Sequence, residues 1–170
     1  MKSAYLLTGM PGTGKTTLIK EAISGLGDKA GGFFTEEIRT EGIRQGFRLV
    51  TLDGRISPLA GVDIRSPYRV SKYGVDIRGL EEMGVTALQK ASQECEIIVI
   101  DEIGKMELFS EKFKSTVLEI IESGRKVLGT IMLKPYPWAD NLKHKPQVQL
   151  ITVTRNNHQE VLSSIQQWLS

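Results

Sequence analysis

Cysteine is nearly absent: the 170-residue chain has one, Cys95, beside two histidines. No internal disulfide can form, and no Cys/His spacing suits a zinc ion. A reducing compartment is therefore expected. Long hydrophobic runs are missing too, and none approaches the roughly 20 residues that a membrane helix needs. The apolar stretch ahead of Gly9 is too short for a signal peptide, so a cytoplasmic protein without membrane association is expected. Excess charge of one sign is the third absence. With 22 Lys and Arg against 20 Asp and Glu, the net charge is +2. That is too little to indicate nucleic-acid binding, which needs clustered basic residues, and nothing in the chain names a protein partner. Repeats and low-complexity tracts are lacking as well. The length suits one domain over residues 1–170 with room for a sizeable core.

What the chain does have is the stretch Gly9-Met10-Pro11-Gly12-Thr13-Gly14-Lys15-Thr16, which fits G-x-x-x-x-G-K-[ST] at every fixed position. Ahead of it, Ala4-Tyr5-Leu6-Leu7-Thr8 reads as a buried strand. Behind it, Leu18, Ile19, Ala22 and Ile23 fall on one helical face before Gly25 and Gly27. Strand, loop and helix are the context a phosphate cradle requires. Glycines let successive N–H groups approach a polyphosphate, and the helix adds its positive end. Lys15 reaches toward β- and γ-phosphate oxygens, Thr16 offers its hydroxyl to a Mg²⁺ ion, and Thr17 is a further phosphate contact.

A second anchor follows the helical stripe of Leu80, Met83, Ala87, Leu88 and Ala91 within Gly79 to Glu94. The run Glu96-Ile97-Ile98-Val99-Ile100-Asp101-Glu102 is apolar and closed by two carboxylates. In phosphate-loop proteins a buried strand ending in Asp supplies the magnesium carboxylate, so Thr16 and Asp101 are the candidate metal ligands. Glu102 is the candidate base for the attacking water. Lys105 stands open between a transition-state cation and a surface lysine.

Between the anchors, residues 31–61 read as an antiparallel meander: Gly32–Arg39, a turn at Thr40-Glu41-Gly42, Phe47–Leu52, and a two-residue turn at Asp53-Gly54. Arg39, Arg44, Arg48 and Arg55, then Arg65, Arg69, Lys72 and Tyr73, read first as a solvated face and second as phosphate or base contacts. Further on, Ser110 caps a helix to Ser123, and Lys126–Met132 is a buried strand. Thr130 is taken there as a strand residue, with γ-phosphate sensing as the alternative. Lys134 to Gln147, with Pro135, Pro137, Pro146 and Trp138, reads as a loop. Trp138 either covers the site or packs on the core. After the strand Gln149–Val153, Asn157 and Glu160 suggest a capping box for a last helix, and His158 at its start reads as a surface residue. The alternation predicts an α/β phosphate-loop fold: a mostly parallel sheet, helices on both faces, an inserted antiparallel meander, and ligand at the carboxyl ends of the strands.

The chain resembles the THEP1-type nucleoside triphosphatases, small phosphate-loop proteins of archaea, bacteria and animals. The resemblance spans nearly all of it. It rests on Gly9 to Thr17, on Gly32-Phe33-Phe34-Thr35-Glu36-Glu37-Ile38-Arg39 with Arg44, Gly46 and Phe47, on Leu52-Asp53-Gly54, on Tyr73-Gly74-Val75-Asp76, and above all on Val99-Ile100-Asp101-Glu102-Ile103-Gly104-Lys105-Met106-Glu107-Leu108. It implies Mg²⁺-dependent hydrolysis of nucleoside triphosphates to diphosphate and phosphate, with low base selectivity. It also marks Gly9–Thr16 and Val99–Met106 as nucleotide-binding segments. Two departures stand out: Ser71 where the family usually has glycine, and Thr154-Arg155-Asn156-Asn157 where it has threonine followed by Asn-Arg. Two rival readings use the same cradle, a nucleoside or nucleotide kinase and a nucleotide-dependent switch or adaptor. The chain lacks an N-K-x-D guanine motif that a conventional GTPase switch would carry.

Overall fold

The computed structural model describes residues 2–170. The apolar stretch before the loop forms β1 (Ala4–Thr8), buried along almost its whole length because strands flank it on both sides. The other strands are β2 (Ala30–Thr40), β3 (Ile43–Thr51), β4 (Ile56–Gly61), β5 (Arg69–Val70), β6 (Tyr73–Val75), β7 (Ile97–Ile103), β8 (Lys126–Ile131) and β9 (Val148–Thr152). Together they form one nine-stranded sheet in the order β5-β6-β4-β3-β2-β7-β8-β1-β9. From β2 to β9 every pairing is parallel, and from β2 to β5 every pairing is antiparallel. The sheet is therefore mixed, and β2 belongs to both halves.

Helices cover both faces, as parallel strands require. On one face lie α1 (Lys15–Ile23) and a C-terminal helix, α5 (His158–Leu169), over Leu7, Leu18, Val99, Leu128 and Ile165. On the other face lie α2 (residues 77–94), α3 (Glu111–Glu122) and α4 (Pro137–Lys143), over Leu6, Phe33, Leu88, Ile100 and Phe113. Each fully buried Leu, Ile or Phe of this kind contributes about 1.5–3 kcal/mol. Truncating Phe113, which is 0% exposed, to Ala would cost about 3–5 kcal/mol. No helix among the described residues is long and apolar enough to cross a membrane.

Several elements differ from the expectations above. The α2 helix begins at Ile77 rather than Gly79, because the Asp76 side chain accepts from the Gly79 N–H at 2.9 Å and caps it. Its middle, Leu80–Val85, is a π-helical segment. The turn after β3 is longer than two residues: Thr51 N donates to Arg55 O at 2.9 Å and Gly54 takes a φ of 94°. That is a three-residue loop with a left-handed glycine at its end. The antiparallel half runs past residue 61, through β6 and β5. The stretch 134–147 is not all loop, since Pro137 opens the seven-residue α4 and buries Ala139 and Leu142. Trp138 packs against the core. No capping box starts α5. Asn157 turns back instead, accepting from Thr154 N and donating to Thr152 O, both at 2.8 Å. The Ser110 cap of α3 is as expected, with Oγ accepting from Phe113 N at 3.0 Å.

Candidate active site

The phosphate loop leaves the carboxyl end of β1 and feeds α1. Gly9, Gly12 and Gly14 take φ values of 149°, 78° and 84°, backbone that residues with a Cβ rarely adopt. Sterics add to this: a Cβ on Gly9 would run into the Val153 carbonyl, and one on Gly14 would stand 3.2 Å from His158 Nε2. The connection from β9 to α5 thus walls the loop on one side. His158 is half-buried there rather than free at the surface. Lys15 Nζ donates to Gly9 O at 3.0 Å and Met10 O at 2.9 Å, which holds the ammonium in the mouth of the loop. The first turn of α1 carries no acidic residue, so no side chain there neutralises its positive end.

The second anchor meets the first directly. Thr16 Oγ1 donates to Asp101 Oδ2 at 2.8 Å, and Thr130 Oγ1 donates to Asp101 Oδ1 at 2.6 Å. Segments from α1, β7 and β8 therefore converge on one carboxylate that is 2% exposed. Burial pushes the Asp101 carboxyl above the usual range. Bonds from Thr130 and Thr16, the Lys20 charge and a backbone bond from Thr35 oppose the shift without cancelling it. The pairing of β7 with β8 shifts register between Ile100 and Ile103, so Asp101 and Glu102 sit in an irregularity. Such irregularities re-aim side chains beside active sites. Glu102 senses both Asp101 and Lys15. Burial raises its carboxyl, the Asp101 charge raises it further, and Lys15 pulls it back.

Behind Glu102 lies an acid that the sequence reading did not place in the site. Glu107 is 3% exposed, in a 3₁₀ turn (Glu107–Phe109) after β7. Its carboxyl is pushed up to about 8, first by burial and then by the Glu102 charge. A Cβ on Gly104 would stand 3.2 Å from Glu102 Cδ and 3.2 Å from Glu107 Oε1. Both acids border the space that this glycine leaves.

Other predicted residues fall outside this cluster. Val99, Ile100 and Ile103 are 0% exposed and belong to the cores, so their side chains hold β7 in place. Met10, Pro11, Thr17 and Lys105 are exposed, and Met106 is half-buried. Among the arginines, Arg39 and Arg44 pair with Glu37, Arg48 with Glu36 and Arg55 with Asp53, all partly exposed. Thr130 is the contact that the sequence signalled only faintly, as one hydroxyl interrupting an apolar run.

A family model described as NTPase matches residues 4–166. The chain is 47% identical over 160 residues to the nucleoside-triphosphatase THEP1 of Thermotoga sp. (strain RQ2), covering 94% of this chain and 91% of that protein. Its fold is similar to the crystal structure of THEP1 from the hyperthermophile Aquifex aeolicus, with a TM-score of 0.90, 36% identity and coverage of 98% of this chain and 99% of the other. It is also similar to the solution structure of a human cancer-related nucleoside triphosphatase, with a TM-score of 0.83, 36% identity and coverage of 100% and 98%.

Proposed function

This chain belongs to the NTPase family, and from that membership we propose a magnesium-dependent nucleoside triphosphatase that releases nucleoside diphosphate and phosphate. The observation that carries the reading is the bridge from Thr16 to Asp101 at 2.8 Å beside the phosphate loop. No group of three or more His, Cys, Asp or Glu side chains among the described residues could hold a metal by itself. A hydroxyl and one carboxylate are hard oxygen donors. They suit magnesium, which takes its remaining ligands from phosphates and water. Held by Thr16 and Asp101, the ion would supply positive charge to neutralise the phosphates.

The rest is done by the chain. Loop N–H groups, the α1 N-terminus and Lys15 hold the phosphates, and Glu102 accepts a hydrogen bond from water and aims it at the γ-phosphorus. A carboxylate whose proton affinity is raised by burial and a neighbouring acid is a better base than an exposed one. Lys105, exposed on the turn after β7, would lend a positive charge to the transition state.

The test is phosphate release from several nucleoside triphosphates, with and without magnesium and with and without nucleoside and monophosphate acceptors. We expect release without an acceptor and its loss on chelation. Lys15→Ala and Glu102→Gln should each lower kcat by about 100-fold or more, while Glu102→Gln keeps its nucleotide affinity. Undiminished hydrolysis in Glu102→Gln would remove the base, and strong acceleration by an acceptor would make the protein a kinase.

A further inference from the structure

Glu107 is a buried acid with no assigned task. Among the described residues no ion pair includes it. Negative charges from Glu102 and Asp101 on β7 act on it, while backbone N–H groups of Glu107 itself and of Gly104 favour its ionised form. The cations of α1 are committed elsewhere, Lys15 acting on Glu102 and Lys20 on Asp101. From α2, Glu81 reaches the end of the same turn and accepts from Ser110 Oγ at 2.6 Å, while Lys105 is exposed. A carboxyl group kept this deep without a cation stays neutral, and a neutral carboxyl is a hydrogen-bond donor as well as an acceptor. Glu102 Cδ and Glu107 Oε1 each lie 3.2 Å from where a Cβ on Gly104 would stand, so the two carboxyl groups are neighbours around that glycine.

We infer that Glu107 is a positioning residue for hydrolysis. Its carboxyl group presents a donor to the Glu102 carboxylate across the gap that Gly104 leaves, and keeps that carboxylate turned toward the phosphates. The inference rests on Glu102 being the base. Glutamine at this position keeps one acceptor for the backbone amides and one donor for Glu102, and it cannot ionise.

Three enzymes are compared in steady-state phosphate release with magnesium and ATP: the parent, Glu107→Gln and Glu107→Ala. Near pH 7, Glu107→Gln should keep kcat within about two-fold, and Glu107→Ala should lose about tenfold in kcat with KM unchanged. From about pH 7 to about pH 9 the parent should decline several-fold as Glu107 ionises, whereas Glu107→Gln should not share that decline. A role in packing alone would not move the pH profile. Full kcat in Glu107→Ala, or parallel alkaline profiles for parent and Glu107→Gln, would overturn the inference, and the second comparison stands even where Glu107→Ala fails to fold. Glu102→Gln is run alongside. If it still turns over, the base assignment has failed; if it is dead while the Glu107 variants behave as the parent, only the present inference has failed.

Discussion

The two halves of the sheet handle charge in opposite ways. In the antiparallel half the ionised groups are numerous but exposed, and they answer one another: Arg39 and Arg44 hold Glu37, and Arg55 with the Thr51 hydroxyl holds Asp53. The Glu37 and Asp53 carboxyls are accordingly lowered, with burial opposing the shift in both. In the parallel half Asp101 and Glu107 are buried and Glu102 half-buried at the end of β7 and the turn after it, and the carboxyls of all three are raised. Paired exposed charge contributes little to stability and has no chemistry left to do. A buried carboxyl without a cation costs stability once it ionises, and it is left free to serve a cation, a phosphate or a water.

The largest break in this contrast should come from Asp101→Asn, which keeps the shape and removes the charge. We expect a loss of about 100-fold or more in kcat/KM with little change in the melting temperature, and a loss within about threefold would mean that Asp101 is only structural. Next is the pH dependence of stability. Glu107 holds a proton in the folded state up to about 8, against an ordinary 4.5. Its contribution is therefore complete below about pH 4.5 and is lost as pH rises toward 8, on the order of a few kcal/mol. Glu37 and Asp53 act with the opposite sign, contributing above their ordinary range and losing it as pH falls, by less than about 1 kcal/mol each because they are exposed. Denaturant midpoints between about pH 5 and about pH 8.5 should fall for the parent and stay flatter for Glu107→Gln. Third, Thr130→Val removes one donor from a buried carboxylate, at a cost of about 1.5–3 kcal/mol in transition-state stabilisation, stability or both; kinetics and chemical denaturation divide the two. Ser71→Gly, in the antiparallel half, should stabilise by about 0.5–1 kcal/mol, since Ser71 has a φ of 53°. The smallest effect is Glu37→Gln, within about 0.5 kcal/mol and without a change in kcat.

The parts of the site most legible in the sequence are those where one residue type does one job. Glycines, Lys15 and Thr16 at set spacing name a cradle, and an apolar run ending in Asp101-Glu102 names its partner strand. The bond from Thr16 to Asp101 brings the two stretches together. Roles that depend on neighbours brought in by folding leave no such mark in the sequence. Thr130 looks like any β-branched strand residue until β8 sets it against Asp101. Glu107 lies five positions past Glu102, and nothing local says that its turn buries it. Asn157 has the right type for a cap, but the tertiary turn before α5 claims its amide first. The short α4 escaped because prolines mask period, although Pro137 is what starts it. The departure at Ser71 does become intelligible, for the turn between β5 and β6 asks for left-handed backbone that glycine supplies without strain.

One strand deserves a mechanical reading. β2 is eleven residues long, yet its registered pairs with β7 run only from Ala30 to Phe33, and the remainder continues outward with β3 as its companion. It is a girder shared by both halves: its Ala30–Phe33 end is clamped against β7, its Glu41-Gly42 end turns back into β3, and Thr35, just past the clamp, lends its backbone to Asp101. The strand that ties the two halves together thus also reaches the carboxylate on which the two anchors meet.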